Sequence, residues 1–361
     1  MIFLILFSLL VSQKISLAQE SADSSDYFDS SLDVYPFVYY TPETEFAAGA
    51  GGVFTFYTAR DSLLNPSNLT ISGFYSSIRT YEISGVTNLF FRQNRMVTVL
   101  DITYSHKVDR FYGIGNDTPE LGTEQYVVDN VGGVLDFQLP PAIIQSDRGG
   151  LVLEYRNYSI LDRKENPYLL ADTLTGTDGG VVSGIGMVWV WDIRDHVFFP
   201  NSGGLTQAKV IFYSKDVGSD FTYSWFEVNA KRYWSYSPDH VIAVQFYLNM
   251  VGGDPPFFKL PALGGPKIMR GYFQGRYRDK SYFAMQAEYR QYFWWRMGFV
   301  AFAGVGDVVP ELTHLNSASM KTSYGFGLRF LFNKKRKINL RVDFGFGKNS
   351  SGIYFGIQEA F

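Results

Sequence analysis

The side chains best suited to proton transfer are four histidines, His106, His196, His240 and His314. They fall in separate segments, without the H-E-x-x-H or H-x-x-E-H spacing that brings two imidazoles onto one metal. Ser105 precedes His106, but neighbours on a strand point to opposite faces and cannot act as nucleophile and base. The chain has no cysteine, which excludes a thiolate nucleophile, a thiolate zinc site and a disulfide scaffold. Asp192, Arg194 and Asp195 offer either an ion site or a salt-bridged turn, and the arginine between two acids favours the turn. Gly113-Ile114-Gly115-Asn116 has no helix after it to hold a phosphate. Lys334-Lys335-Arg336-Lys337 reads as a solvated turn near lipid headgroups, and Trp294-Trp295 as part of an interfacial aromatic girdle. No enzyme activity, cofactor or metal is expected.

Chemistry of this sparse kind points to the scaffold. The chain has 361 residues, of which 17% are aromatic, 19% charged and 35 are glycine. Mean hydropathy is only -0.06. A helical membrane protein needs runs of about 20 apolar residues, and the one sustained run, Met1 to Val11, is too short. Net charge is -3, so no basic face is on offer to nucleic acid. High aromatic content at low net charge excludes a disordered chain. Alternating β-structure, soluble or in an outer membrane, gives this profile.

Period-2 alternation recurs along the chain. In 281–292 one face carries Gln286, Glu288 and Arg290, the other Phe283, Met285, Ala287 and Tyr289. In 321–332 Ser323, Gly325, Gly327 and Arg329 oppose Tyr324, Phe326, Leu328 and Phe330. In 337–347 Asn339, Arg341, Asp343 and Gly345 oppose Leu340, Val342, Phe344 and Phe346. Each strand thus has one face for hydrocarbon and one for a polar interior. Further strands are expected near 46–58, 67–78, 81–93, 95–107, 124–138, 148–160, 179–192, 204–215, 221–234, 240–251, 297–306 and 352–361.

Bacterial outer-membrane barrels have even strand numbers. The segment Leu32 to Tyr40 supplies the sixteenth strand, although Pro36 makes it a poor central one. With it, the long gaps 108–123, 161–178, 252–280 and 307–320 share one side, and tight turns such as Gln93-Asn94-Arg95 share the other. The fold expected is an all-β, transmembrane antiparallel β-barrel of sixteen strands over 32–361. Residues 1–18 read as a signal peptide ending at Ser16-Leu17-Ala18, and 19–31 as a disordered lead-in. The chain's last segment, with Tyr354, Gly356 and a terminal Phe361, is similar to the sorting strand of outer-membrane barrels, from which Glu359 departs.

Two segments carry a family resemblance. The first runs from Gly184 to Leu205 and includes Asp192-Ile193-Arg194-Asp195, Phe199-Pro200 and Gly203-Gly204. The second runs from Leu263 to Val309 and includes Leu263-Gly264-Gly265, Arg270-Gly271-Tyr272, Arg276, Arg278, Glu288-Tyr289-Arg290 and Gly306-Asp307. Both resemble the bacterial surface antigen family, the BamA/TamA-type barrels of outer-membrane assembly and translocation. The resemblance covers about 180–361 well and the first half weakly.

It implies a sixteen-stranded barrel whose long Arg-Gly-Tyr loop folds into the lumen and pairs its arginine with acids on the wall. Here that arginine is Arg270, with Gly271 and Tyr272 beside it. The family's inner-wall acid is replaced by Gly304 in Phe302-Ala303-Gly304-Val305-Gly306. Glu288 and Asp343, both on polar faces, are the partners expected in its place. A solvated outer-loop arginine is the alternative. Asp192, Arg194 and Asp195 become a periplasmic turn. A barrel-only member without periplasmic POTRA domains is expected, since only 19–31 precedes the first strand.

The function implied is insertion or translocation of proteins or lipids at the outer membrane of a Gram-negative-type bacterium. The barrel would use a seam between its first and last strands and a separate periplasmic partner. Outer-membrane lipid surrounds it. A passive pore or small-solute transporter, and a structural surface antigen, are the alternatives.

Overall fold

A computed structural model describes residues 28–140, 147–171, 173–196, 199–237, 239–333 and 338–361. The signal-peptide reading, most of the lead-in and the basic run 334–337 lie outside the described residues.

One antiparallel sheet of sixteen strands forms the molecule, each strand paired with its neighbours in chain order. The strands are β1 (Ser31–Thr41), β2 (Glu45–Phe56), β3 (Ser67–Ser76), β4 (Tyr81–Phe91), β5 (Met96–Arg110), β6 (Gln125–Leu139), β7 (Arg148–Asp162) and β8 (Gly179–Asp192). After these come β9 (Gly203–Tyr213), β10 (Tyr223–Ser237) and β11 (His240–Gly253). A small ladder in the following loop pairs β12 (Ala262–Leu263) with β13 (Tyr277–Arg278). The sheet resumes with β14 (Ser281–Trp294), β15 (Met297–Val309), β16 (Lys321–Asn333), β17 (Ile338–Gly347) and β18 (Ser350–Ile357).

The alternation has the physical meaning a barrel gives it. On β16, Tyr324, Phe326 and Leu328 are exposed toward lipid, while Ser323 and Arg329 are buried inside. On β14, Met285 is exposed, while Gln286, Glu288 and Arg290 are buried. A register slip of one residue would put those charges into hydrocarbon, so the pattern fixes the pairing.

β1 does form, paired in register with β2 from Ser31↔Thr55 to Thr41↔Glu45. β1 and β18 come side by side, but no ladder joins them. The barrel is therefore nearly closed, with an unsealed seam. Pro36 on β1, which has no N–H to give to a ladder, stands within the intact β1–β2 register opposite Ala50.

The last segment differs from expectation. The strand ends at Ile357 instead of running to Phe361. Gln358 takes a left-handed φ of 68°, which breaks the extended chain. Ala360 and Phe361 then pack inside against Tyr233, Val241 and Ala243 of β10 and β11. Phe361 is thus a buried lumenal residue and not the end of an alternating strand. Of the other two residues of that motif, Tyr354 is fully buried and Gly356 lies against the Arg341 guanidinium.

Candidate functional site: a pinned loop and an open seam

The loop between β11 and β14 spans residues 254–280 and carries Arg270-Gly271-Tyr272. All three sit against the inner wall of β14–β18. Arg270 is fully buried. Its Nη1 donates to Asp343 Oδ2 of β17 at 2.7 Å, and its Nη2 donates to Glu288 Oε1 of β14. The guanidinium also stacks over Phe302 of β15, 3.6 Å from the ring centroid. A planar, permanently charged fork can serve two carboxylates and a ring at once, and an ammonium cannot. The position of the absent family acid, Gly304, lies beside Gln286; Glu288 comes from the adjacent β14 and Asp343 from β17, two strands away.

The pair belongs to a larger network. Arg329 donates to Asp343 and to Glu359. Arg341 donates to Asp343, and Arg290 donates to Glu288 at 2.9 Å and to the Phe361 main-chain oxygen at 2.7 Å. Glu359, which departs from the sorting pattern, is a counter-ion here because the tail turns inward. Four guanidiniums share three carboxylates, so donors exceed acceptors, and the Nε atoms of Arg270 and Arg341 have no acceptor among the described residues.

Backbone contacts hold the same loop segment. A Cβ on Gly345 of β17 would lie 2.7 Å from the Arg270 carbonyl carbon, so the loop runs directly on the bare strand. Gly271 has φ 110°, a conformation glycine adopts without a Cβ penalty. Its N–H donates to Tyr354 Oη of β18 at 3.0 Å, and its carbonyl accepts from Ser350 at 2.6 Å. Tyr272, also fully buried, donates from its hydroxyl to the Thr322 carbonyl at 3.0 Å.

Sequence reasoning misses a second attachment, at the opposite wall. Lys259 Nζ donates to Glu154 Oε1 of β7 at 2.7 Å and lies over the rings of Tyr213 and Trp225. Phe257 packs beside it against Phe111, Tyr126 and Leu169, and Phe258 stacks on Tyr158 at 4.3 Å. The signal was present: one lysine in the apolar stretch Pro255 to Leu260, and one acid, Glu154, on the inward face of β7. The loop therefore crosses the lumen and is tied to both walls. Loop 111–124 braces it, with Arg276 bonded to Glu120 and Thr118 and Asn116 bonded to the buried Asp307.

The loop also reaches the other edge of the seam. Gln274 N–H donates to Glu43 Oε1, in the turn after β1, at 2.8 Å. Residues 271–274 thus touch both β18, through Tyr354, and the β1–β2 turn, through Glu43. Burial raises the Glu43 carboxyl above the usual carboxylate range, the Gln274 N–H opposes this, and the Asp109 charge adds to it. The Gln274 hydrogen bond by itself favours the carboxylate, but burial outweighs it, so the docked loop as a whole is favoured with Glu43 protonated and is expected to loosen as pH rises through the raised titration. Hydrogen exchange at the Gln274 amide, corrected for intrinsic rate, should show protection falling from acid to neutral pH. Glu43→Gln should flatten that profile; an unchanged slope in the variant would assign it to another group.

Asp192, Arg194 and Asp195 lie elsewhere, at the short-turn end. Arg194 forks onto Asp192 at 2.8 and 2.7 Å, and Asp195 accepts the Asn201 and Ser202 N–H groups. The acids are saturated by a cation and by backbone donors, the geometry of a braced turn. Among the described residues no cluster of potential metal ligands occurs. His106 pairs with Asp129 at 2.6 Å, and the buried Ser105 hydroxyl has no hydrogen-bond partner among the described residues, so the two do not form a nucleophile–base pair.

The Omp85 superfamily domain matches residues 64–361. No curated protein matches the chain by sequence. Among solved structures, BamA from Haemophilus ducreyi lacking POTRA domains 1-3 superposes with a TM-score of 0.58 at 14% identity, covering 92% of this chain and 69% of that one. CdiB from Acinetobacter baumannii superposes with a TM-score of 0.55 at 12% identity, covering 91% of this chain and 59% of that one. At these identities the likeness is one of fold.

Proposed function

Because the chain belongs to the Omp85 superfamily, we propose that it inserts or translocates proteins, or lipids, at the bacterial outer membrane through the seam between β1 and β18. Superfamily barrels are generally non-enzymatic transporters and assembly factors, and this barrel is read as one. The observation that carries the proposal is the missing ladder between β1 and β18, bridged at one end by loop residues 271–274. A seam without ladder hydrogen bonds parts at far lower cost than any other strand pair in the wall. The loop that bridges it is the element whose movement would free it.

Cargo would arrive through a separate periplasmic protein. The described turns at the short-turn end are too small to form a capture domain, as at 92–95 and 295–296. A passive pore fits less well, since the loop crosses the lumen from Glu154 to Asp343.

The native chain lacks cysteine, so a pair can be added cleanly. A Cβ on Gly352 would lie 3.0 Å from Pro42 Cγ across the seam. Proteoliposomes carrying Pro42→Cys/Gly352→Cys should speed folding of a small outer-membrane barrel when reduced and lose that effect when oxidised. Equal acceleration in both states would mean that the seam is not the route.

A further inference from the structure

We propose that the lipid-facing wall over β5–β8 binds a glycolipid of the lipid A type, with its saccharide at the outer rim and an acyl chain in a groove beneath. The outward residues of these strands line up in register. Leu100, Leu135, Leu153 and Ile185 form one row. The next row toward the long loops carries Ile102, Gly133, Tyr155 and Ser183. Two rows further out stand His106, Asp129 and Ser159, with Asn157 between Tyr155 and Ser159 on β7.

The two lower rows enclose an open groove of about 410 Å³. Gly133, bare between Ile102 and Tyr155, and the small Ser183 leave the dip, and Leu153, Tyr155 and Ile185 stand exposed beside it. The upper row is polar. His106 Nδ1 pairs with Asp129 Oδ1 at 2.6 Å, and its ring stacks on Tyr81 at 5.0 Å, which stacks on Tyr75 at 6.0 Å. Asp129 Oδ2, His106 Nε2 and the side chains of Asn157 and Ser159 have no hydrogen-bond partner among the described residues. No lysine or arginine stands in these rows.

Height decides what this row meets. On β8 the chain from Trp189, at the short-turn end, back to Gly179, in the polar row, covers ten residues. At about 3.3 Å per residue and a tilt of about 40° that is a rise of about 25 Å, the height of the apolar band of such barrels. The polar row therefore lies at the outer edge of the hydrocarbon, where an unbonded polar side chain is costly. A phospholipid phosphate would face a carboxylate there with no lysine or arginine to offset it. Sugar hydroxyls and amides instead donate to Asp129 and exchange hydrogen bonds with Asn157 and Ser159. The groove begins directly beneath Asn157, so one molecule can fill both parts. The site stands whether or not the seam opens.

The test uses the whole protein in phosphatidylcholine nanodiscs doped with lipid A. Native mass spectrometry counts the lipid retained after release into a sugar-free detergent. Wild type should retain one lipid A saturably against an excess of phosphatidylglycerol, and should retain the dephosphorylated form alike. Asn157→Val/Ser159→Val removes polar contacts with residues that suit a lipid-facing strand, and Ser183→Phe fills the groove. Each should weaken retention by about tenfold, the effect of losing two hydrogen bonds or the seat of one chain. Both should keep the wild-type heat-modified gel shift in undoped nanodiscs. Unchanged retention in both variants would overturn the site. So would equal retention of phosphatidylglycerol, which would make the bound lipid an unselective annulus, or loss of binding on dephosphorylation, which would make phosphate the recognised group. The last two comparisons need only the wild type, so they decide the proposal even where a variant does not fold.

Discussion

Arg270→Ala is expected to release the loop from the β14–β18 wall and to lower the barrel's stability. Removing one member of a buried ion pair costs about 3–5 kcal/mol where the other is left uncompensated. Here the loss should fall near the lower end of that range. Asp343 keeps Arg329 and Arg341 as partners, and Glu288 keeps Arg290. The cation–π contact with Phe302 is lost as well. Arg270→Lys should fall between wild type and alanine, because one ammonium cannot reach both carboxylates in the fork geometry. Protease cleavage within 254–280 should accelerate in the order wild type, lysine, alanine. Equal cleavage in all three would show that Lys259 and the backbone contacts suffice to hold the loop.

Gly345→Val should displace the loop as strongly while leaving every charge in place. Its Cβ would sit 2.7 Å from the Arg270 carbonyl carbon and from the Gly271 nitrogen, and both atoms are backbone. Valine suits a strand, so the ladder of β17 should survive. The overlap can be relieved only by moving the loop off the wall, which also takes Arg270 from Asp343. The variant should run as a folded barrel on a heat-modifiable gel yet match Arg270→Ala in protease sensitivity. Wild-type protection in Gly345→Val would mean that the loop does not lie on β17.

Most of the barrel was legible because period 2 is rigid. Once residues 281–347 separate into apolar and polar faces, inward and outward are assigned. The even strand count then requires a strand at Leu32 to Tyr40 despite Pro36. The same alternation narrows the candidate partners of Arg270 to acids on inward faces, where the structure places Glu288 and Asp343. What escaped lies off the strands. Lys259 sits in an irregular loop, where no period says which way a side chain points. The tail misled for a related reason. Alternation continues in sequence through Phe361, but the left-handed Gln358 ends the strand, and the network of arginines draws Glu359 inward. A charge-satisfaction argument could have found this, since Arg270, Arg290, Arg329 and Arg341 outnumber Glu288 and Asp343, the two acids the strands supply to them.

The central claim is that the loop closes the lumen while the seam stays unzipped. Conductance of the wild-type barrel in a planar bilayer tests it most directly. A small, flickering conductance that becomes larger and steadier in Arg270→Ala is the predicted result. A large, steady wild-type conductance, unchanged by the mutation, would contradict it and make the barrel an open pore.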